Sequence, residues 1–255
     1  MRGGRFAAAM TAALLGVALT GCGQRHEPAE PETAKTNQAA AAAYSSLGDV
    51  PEELAADGIR IVVGDPKAPV TVHLYEDPRC PYCEEFESTG GGPELRQATI
   101  RRETRTEYTL ASFLDDRVGG TGSKKAVNAL RAALEEGRFA EYHQVLYANQ
   151  PEETVDGFTD AYLLELAGRV EGLRGPAFDS AVKTMKYRAF VTASQKAYEL
   201  YGGTAEPEGP GTPTAVINNL RVPLEFNGLL LDRTLFHDLL EQIRKAPQEW
   251  QEMKF

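Results

Sequence analysis

The run Val70-Thr71-Val72-His73-Leu74-Tyr75-Glu76-Asp77-Pro78-Arg79-Cys80-Pro81-Tyr82-Cys83-Glu84-Glu85-Phe86 decides how this chain is read. Its first part is rich in β formers and lies between Pro69 and Pro78, the grammar of a short strand. Its second part puts Pro just inside a helix start and acids in the first turn. Cys80 is therefore expected where a strand ends and a helix begins. Two cysteines separated by two residues across a first helical turn bring their sulfurs within bonding reach. A thiol at that terminus faces unpaired N–H groups, which favour the thiolate. The helix dipole supplies only about 0.3 to 1 kcal/mol, so a strongly acidic Cys80 needs hydrogen bonds from Cys83 and from backbone. Glu76, Asp77, Glu84, Glu85 and Glu87 oppose it by like-charge repulsion.

Outward from this run, Ile59 to Val63 is a second strand, stopped by Gly64-Asp65-Pro66. The helix after Cys80 fails by Gly90-Gly91-Gly92-Pro93, resumes briefly, and gives way to a strand at Glu107 to Leu114. A helical series follows. Ser123 caps a helix through Leu134 with Val127, Leu130 and Leu134 on one face and Gly137 as its stop. Phe139, Tyr142, His143 and Leu146 mark another, and Thr159 to Val170 and Pro176 to Tyr201 extend the series to Gly202-Gly203. The apolar stripes from about residue 119 to 203 need a common partner, which predicts a cap packed over one side of the sheet. Strands return at Thr214 to Ile217 and Arg221-Val222 around an Asn218-Asn219 turn. Asp232 caps a last helix with Leu235, Leu239 and Ile243 as its apolar face.

The chain has 255 residues, 42% hydrophobic and 25% charged, which is too polar for a polytopic membrane protein. Its 27 basic and 37 acidic side chains leave a net charge of -10, which argues against nucleic acid as a partner. Three cysteines exclude a disulfide-dense scaffold and a four-thiolate zinc site. Arg2 and Arg5 precede a small and apolar run from Phe6 to Leu19, the pattern of a secretory signal and too short to span a bilayer. The run ends in Leu19-Thr20-Gly21-Cys22, which resembles a bacterial lipobox, so Cys22 is expected to carry lipid. That leaves one cysteine pair. Residues 1–21 are thus expected as a lipoprotein signal peptide, 22–55 as a flexible tether of Ala, Glu, Pro, Gln and Thr, and 56–255 as the folded domain.

A lone C-x-x-C is weak, since zinc knuckles share it, but a single pair at a strand-to-helix junction in an exported chain is far more specific. Asp77 followed by Cys80-Pro81-Tyr82-Cys83, the late Gly211-Thr212-Pro213-Thr214 segment and the helices between them resemble the thioredoxin superfamily. Within it they are similar to the DsbA-like extracytoplasmic thiol:disulfide oxidoreductases. The resemblance spans roughly residues 59 to 245 and implies an α/β, thioredoxin-like fold with a helical insertion subdomain. It implies Cys80 and Cys83 as the catalytic pair, Pro81 as a residue of the motif between them, Tyr82 as a tuner of access and redox poise, and Thr212 before a cis Pro213 as the substrate-positioning segment. It implies no cofactor beyond the redox-active Cys80–Cys83 disulfide, and no metal. One position departs from the family pattern. Relatives often carry a buried acid six residues before the first Cys, where this chain has Leu74; Glu76, two residues on, is the candidate proton relay. His73 and His143 read as structural histidines and His237 as solvent-facing.

Three classes of function fit these residues. The first is an enzyme exchanging disulfides with exported protein substrates, recycled by a membrane redox partner and lipid-anchored on the extracytoplasmic face of a bacterial cell membrane. The compartment favours the oxidase direction over isomerase or reductase. The second is a metal carrier using both thiolates, with His73 as third ligand. The third is a binding or chaperone module in which the Cys80–Cys83 bond is structural.

Overall fold

Burial of nearly every residue along the central strands shows that the sheet is covered on both faces. The computed structural model describes residues 42–253; the expected signal peptide, Cys22 and most of the tether lie outside the described residues. In chain order come strands β1 (Glu52–Leu54), β2 (Ile61–Gly64) and β3 (Val70–Glu76), then helices α1 (Pro81–Ser88) and α2 (Gly92–Ile100), then β4 (Thr104–Leu110). β3 and β4 run parallel, as a strand–helix–strand crossover requires. β2 pairs antiparallel with β4 and with β1, while β5 (Thr214–Ile217) pairs antiparallel with β3 and with β6 (Leu220–Arg221), giving the order β1-β2-β4-β3-β5-β6. Asn218 and Asn219 both take positive φ in the β5–β6 turn, as the hairpin reading expects. β4 begins earlier than the expected Glu107. Thr104 and Thr106 join the sheet because their buried hydroxyls bond Thr99 at 2.9 and 3.4 Å, which lets polar residues occupy the inner face.

Two further expectations need correction at the N-terminus and in the last helix. The tether expected to reach residue 55 yields to folded structure sooner: Tyr44 N–H donates to Ile100 O, Val50 is buried and β1 forms the sheet edge. Few large apolar residues mark this stretch, so composition alone missed it. Glu52 holds it in place by accepting from the amides of Phe139 and Ala140. Asp232 does cap the helix Arg233–Lys245, accepting from Thr234 and Leu235 N–H, but Leu235 is exposed and the buried face is Phe236, Leu240 and Ile243. The stripe is displaced by one residue because Phe236 is drawn against Phe86 edge-on at 5.6 Å. A Cβ on Gly91 would meet the Phe236 ring at 2.5 Å, which explains that glycine.

Between β4 and β5 the chain forms α3 (Leu114–Val118), α4 (Gly122–Glu135), α5 (Phe139–Tyr147), α6 (Asp160–Ala167), α7 (Pro176–Thr184) and α8 (Arg188–Gly202). The expected Pro176–Tyr201 helix is broken at Met185, whose left-handed φ of 51° ends α7. Ser123 lies inside α4 and does not cap it; Asp156 accepts from the Thr121 and Gly122 amides, and Asp115 from those of Ser123 and Lys124. The insertion does not cover one side of the sheet as expected but reaches both. On the face of Val72, Leu74 and Glu76, α5 sets Phe139 and His143 against Tyr108. On the opposite face α8 sets Tyr201 against Tyr75, with ring centroids 4.4 Å apart, and Ser194 accepts from Leu110 N–H.

Candidate active site

Pro81 fixes the local shape around the dithiol. A residue preceding Pro is driven to extended backbone, and Cys80 has φ -73° and ψ 121° as the N-cap of α1. Its carbonyl accepts from the Cys83 and Glu84 amides, each at 3.1 Å. Cys83, one turn in, points to the core and is fully buried, whereas Cys80 keeps 6% of its surface and Tyr82 stands 59% exposed beside it. The Thr212–Pro213 peptide is cis, and Cys80 Sγ lies 3.3 Å from Thr212 O. Cys80, Pro81, Tyr82, Thr212 and Pro213 therefore line one open cavity of about 810 Å³, with Phe113, Leu224 and Leu231 as apolar walls. A hydrogen bond from Cys83 lowers the Cys80 pKa to about 7 despite burial, with help from the Thr212 side chain and the Cys83 and Tyr82 amides. That drop corresponds to about 3 kcal/mol, more than a helix dipole supplies, so hydrogen bonding carries it. Burial drives the Cys83 thiol the other way, far above its ordinary value. One sulfur is a nucleophile near neutral pH; its neighbour is a protonated, sealed partner.

The loop before Cys80 is tied to the insertion by buried charge. Arg79 is 1% exposed and donates to Asp115 at 3.0 Å, to Gly119 O at 2.7 Å and to Glu153 O at 2.8 Å. Asp77 accepts from Arg79 N–H, from Leu114 N–H and, at 2.6 Å, from the Ser123 hydroxyl. Burial raises the Asp77 carboxyl to about 6. Neither residue stands out by composition: an Arg beside a Cys in a polar loop reads as solvated, and only the docked insertion removes it from water.

Behind the dithiol, Leu74 is fully buried in the core and Glu76 lies two residues further along the same face of β3, also fully buried. Burial raises its carboxyl to about 8, and the charge of Cys80 raises it further. Glu87 from α1 and His143 from α5 meet it there. His143 Nε2 lies 3.1 Å from Glu76 Oε2, its Nδ1 lies 3.9 Å from Glu87 Oε2, and Arg96 from α2 is bonded to both the Glu87 carboxylate and its carbonyl. Burial brings Glu87 to about 7 and holds His143 neutral, down at about 4. In the sequence Glu87 stands out only as a charge that repels a thiolate and His143 only as a core histidine. An acid one helical turn after Cys83, on the face of the buried Cys83, was the available signal.

These positions bear on the metal reading. Among the described residues the cluster with metal-ligand spacing is Glu76, Glu87 and His143, which includes neither thiol nor His73. His73 lies on the opposite sheet face, bonded to Thr109 Oγ1 at 2.9 Å and stacked on Tyr75 at 4.3 Å. It is thus no third ligand to the Cys pair. His237 is exposed, 3.5 Å from Glu94, as expected.

The comparisons with known proteins agree with this geometry. No curated protein matches the sequence. Among solved structures, the oxidised BdbD of Bacillus subtilis is 20% identical and superposes with a TM-score of 0.59, covering 80% of this chain and 100% of its own. DsbA of Chlamydia trachomatis is 19% identical, with a TM-score of 0.56 over 75% of this chain and 93% of its own. MdbA of Corynebacterium diphtheriae, a thiol-disulfide oxidoreductase, is 20% identical, with a TM-score of 0.56 over 74% and 94%. The likeness is of fold, and these folds share the sheet with a helical insertion seen here. The thioredoxin family model (Thioredoxin_4) matches residues 57–229, more than half of the sequence and both halves of the site, and the chain belongs to the thioredoxin family.

Proposed function

We propose that this protein is a thiol:disulfide oxidoreductase that exchanges disulfides with exported polypeptides, working as an oxidase. The observation that carries this is the asymmetry of the pair: Cys80 opens onto a cavity of about 810 Å³ beside Thr212, and Cys83 is sealed behind it. When the pair is oxidised, a substrate thiolate attacks Cys80 Sγ, and Cys83 leaves as the thiol after taking a proton. A second substrate thiol then displaces Cys80. The substrate gains a disulfide, and the enzyme is left as the dithiol, for a membrane partner to reoxidise. Glu76 is the acid that gives Cys83 its proton in this direction and takes it in the reverse, its carboxyl being near neutrality. Thr212 offers backbone groups with which an extended substrate strand can pair.

The direction of flow has a second reading. Cys80 comes down only to about 7, and a nucleophile of that acidity suits a reductase or isomerase. Equilibration of the Cys80/Cys83 couple with glutathione tests the choice: a potential nearer about -120 mV supports the oxidase, and one nearer about -270 mV assigns the reductase. The exported, lipid-anchored location rests on Arg2, Arg5 and the Leu19-Thr20-Gly21-Cys22 segment. Cys22→Ser should release the protein from membranes in a cell fractionation, and unchanged retention would overturn the anchor.

A further inference from the structure

Glu76 cannot exchange a proton with water directly, because it is fully buried. A buried acid that cycles once per turnover needs a way to reset. From the insertion side, α5 brings His143 and Tyr147 toward it. His143 stands between two carboxyls, with Nε2 3.1 Å from Glu76 and Nδ1 3.9 Å from Glu87. A neutral imidazole donates through one nitrogen and accepts through the other. With Nε2–H donating to an ionised Glu76, Nδ1 is an acceptor turned toward Glu87; in the other tautomer the roles reverse. Glu87 is in turn bonded to Arg96, whose guanidinium stabilises an ionised Glu87 but carries no proton itself. Glu76 Oε1 and Glu87 Oε1 are buried with no other polar side chain or backbone group bonded to them, and the two carboxyls also act on each other directly.

We propose that His143 is the relay through which Glu76 passes its proton to Glu87. This rests on the proposed role of Glu76. In the closing step, Cys83–SH and a Cys80 mixed disulfide become the Cys80–Cys83 disulfide and a substrate thiolate. The Cys83 proton goes to the Glu76 carboxylate. It then moves from Glu76 to Nε2 while Nδ1–H passes to Glu87, whose carboxylate takes it up beside Arg96; the reverse shift restores the first tautomer and returns the proton to Glu76 when Cys83 is to be reprotonated. No electrons move in the relay. The Nδ1–Glu87 gap must close by about 1 Å to reach hydrogen-bond length during transfer. The ring is held for this by Tyr108 of β4 and by Phe139 and Tyr147 of α5, whose centroids lie 4.8, 5.3 and 4.8 Å away. The charged or titratable groups around it are Glu76 from β3, Glu87 from α1, Arg96 from α2 and the two tyrosines. A single metal ion is disfavoured at this cluster, since the two carboxylates address different nitrogens of one ring and Arg96 already supplies the cation.

His143 is a positioning residue that acts through Glu76, so its test must read proton movement. Reduced full-length protein is mixed with one equivalent of a chromogenic aryl disulfide; Cys80 attack releases the first aryl thiolate and Cys83 closure the second. In His143→Gln the ratio of second to first rate should fall about tenfold near pH 7 and recover as pH rises past about 8, because Glu76 is then already ionised when closure begins and needs no relay. Glu76→Gln should slow the second phase about a hundredfold. A His143→Gln ratio equal to wild type alongside a slow Glu76→Gln overturns the relay and leaves the Glu76 role standing. A wild-type ratio in Glu76→Gln overturns both. Should His143→Gln not fold, the wild-type second phase in mixtures of light and heavy water decides: a bowed dependence on deuterium fraction is expected, and a straight line, one proton in flight, refutes the relay.

Discussion

Cys80 and Cys83 differ in one respect that governs everything at the residue scale: which of them water and substrate can reach. The Cys83 hydrogen bond brings Cys80 to about 7, so its alkylation rate should rise with a midpoint near pH 7 and then level off. Cys83 should stay unmodified over the same range, as peptide mass spectrometry after brief iodoacetamide treatment would show. Glu76 yields a stability prediction. Its folded carboxyl is raised to about 8, whereas the unfolded carboxyl ionises near 4.5. Between those values the folded state holds more protons than the unfolded state, so the stability contributed is full at low pH and is lost as pH rises toward 8. His143, lowered to about 4, works in the opposite sense, but only up to its unfolded value of 6.5. From pH 6.5 to 8 Glu76 alone should remove stability on the order of 2 kcal/mol, while reduced Cys80, lowered to about 7, adds stability above that pH, so the difference in slope between wild type and Glu76→Gln in urea titrations isolates the Glu76 part.

Elements in this molecule are joined by buried polar contacts as much as by apolar packing. The Arg79–Asp115 pair connects the loop ahead of α1 to α3, and the same Asp115 carboxylate accepts the Ser123 and Lys124 amides at the start of α4. Removing the acid leaves a guanidinium buried without its countercharge, a cost of about 3 to 5 kcal/mol. Asp115→Ala should lower the urea midpoint accordingly, and a change below about 1 kcal/mol would show that Gly119 O and Glu153 O suffice for Arg79. Within the insertion, Asn128 of α4 donates to Ala181 O and accepts from Tyr187 N–H, tying α4 to the break between α7 and α8. Val127, Leu130 and Leu134 were legible as a helix face from their spacing. The Asn128 contacts were not, because a polar residue in a helix reads as solvent-facing until a neighbouring break supplies unpaired backbone groups.

At the scale of the whole molecule, the insertion embraces both faces of the sheet and leaves the Cys80 end open. Leu224 is 60% exposed on the wall of the cavity that holds Cys80, which the exposed Tyr82 also lines. An apolar wall beside a nucleophile suits a polypeptide segment, which gains contact area that a small disulfide cannot. Leu224→Glu should therefore reduce oxidation of a reduced, unfolded protein by about tenfold, some 1.4 kcal/mol, and exchange with glutathione disulfide by much less. Equal losses for both substrates, measured side by side, would remove Leu224 from the substrate surface.

The strand-to-helix junction at Cys80, the helical insertion and the late Thr212-Pro213 segment were determined by the sequence itself, because turn residues, β-rich runs and helical spacing are local signals. Even the face shared by Leu74 and Glu76 follows from the two-residue period of a strand. Tertiary structure alone decided what those faces meet. Glu76, Glu87, Arg96 and His143 come from β3, α1, α2 and α5, and nothing in the spacing of any one element names the other three. Periodicity tells a residue that it will be buried but not against which charge. That second fact sets whether a buried carboxyl stays protonated, whether a histidine is filler or a partner, and how acidic Cys80 becomes.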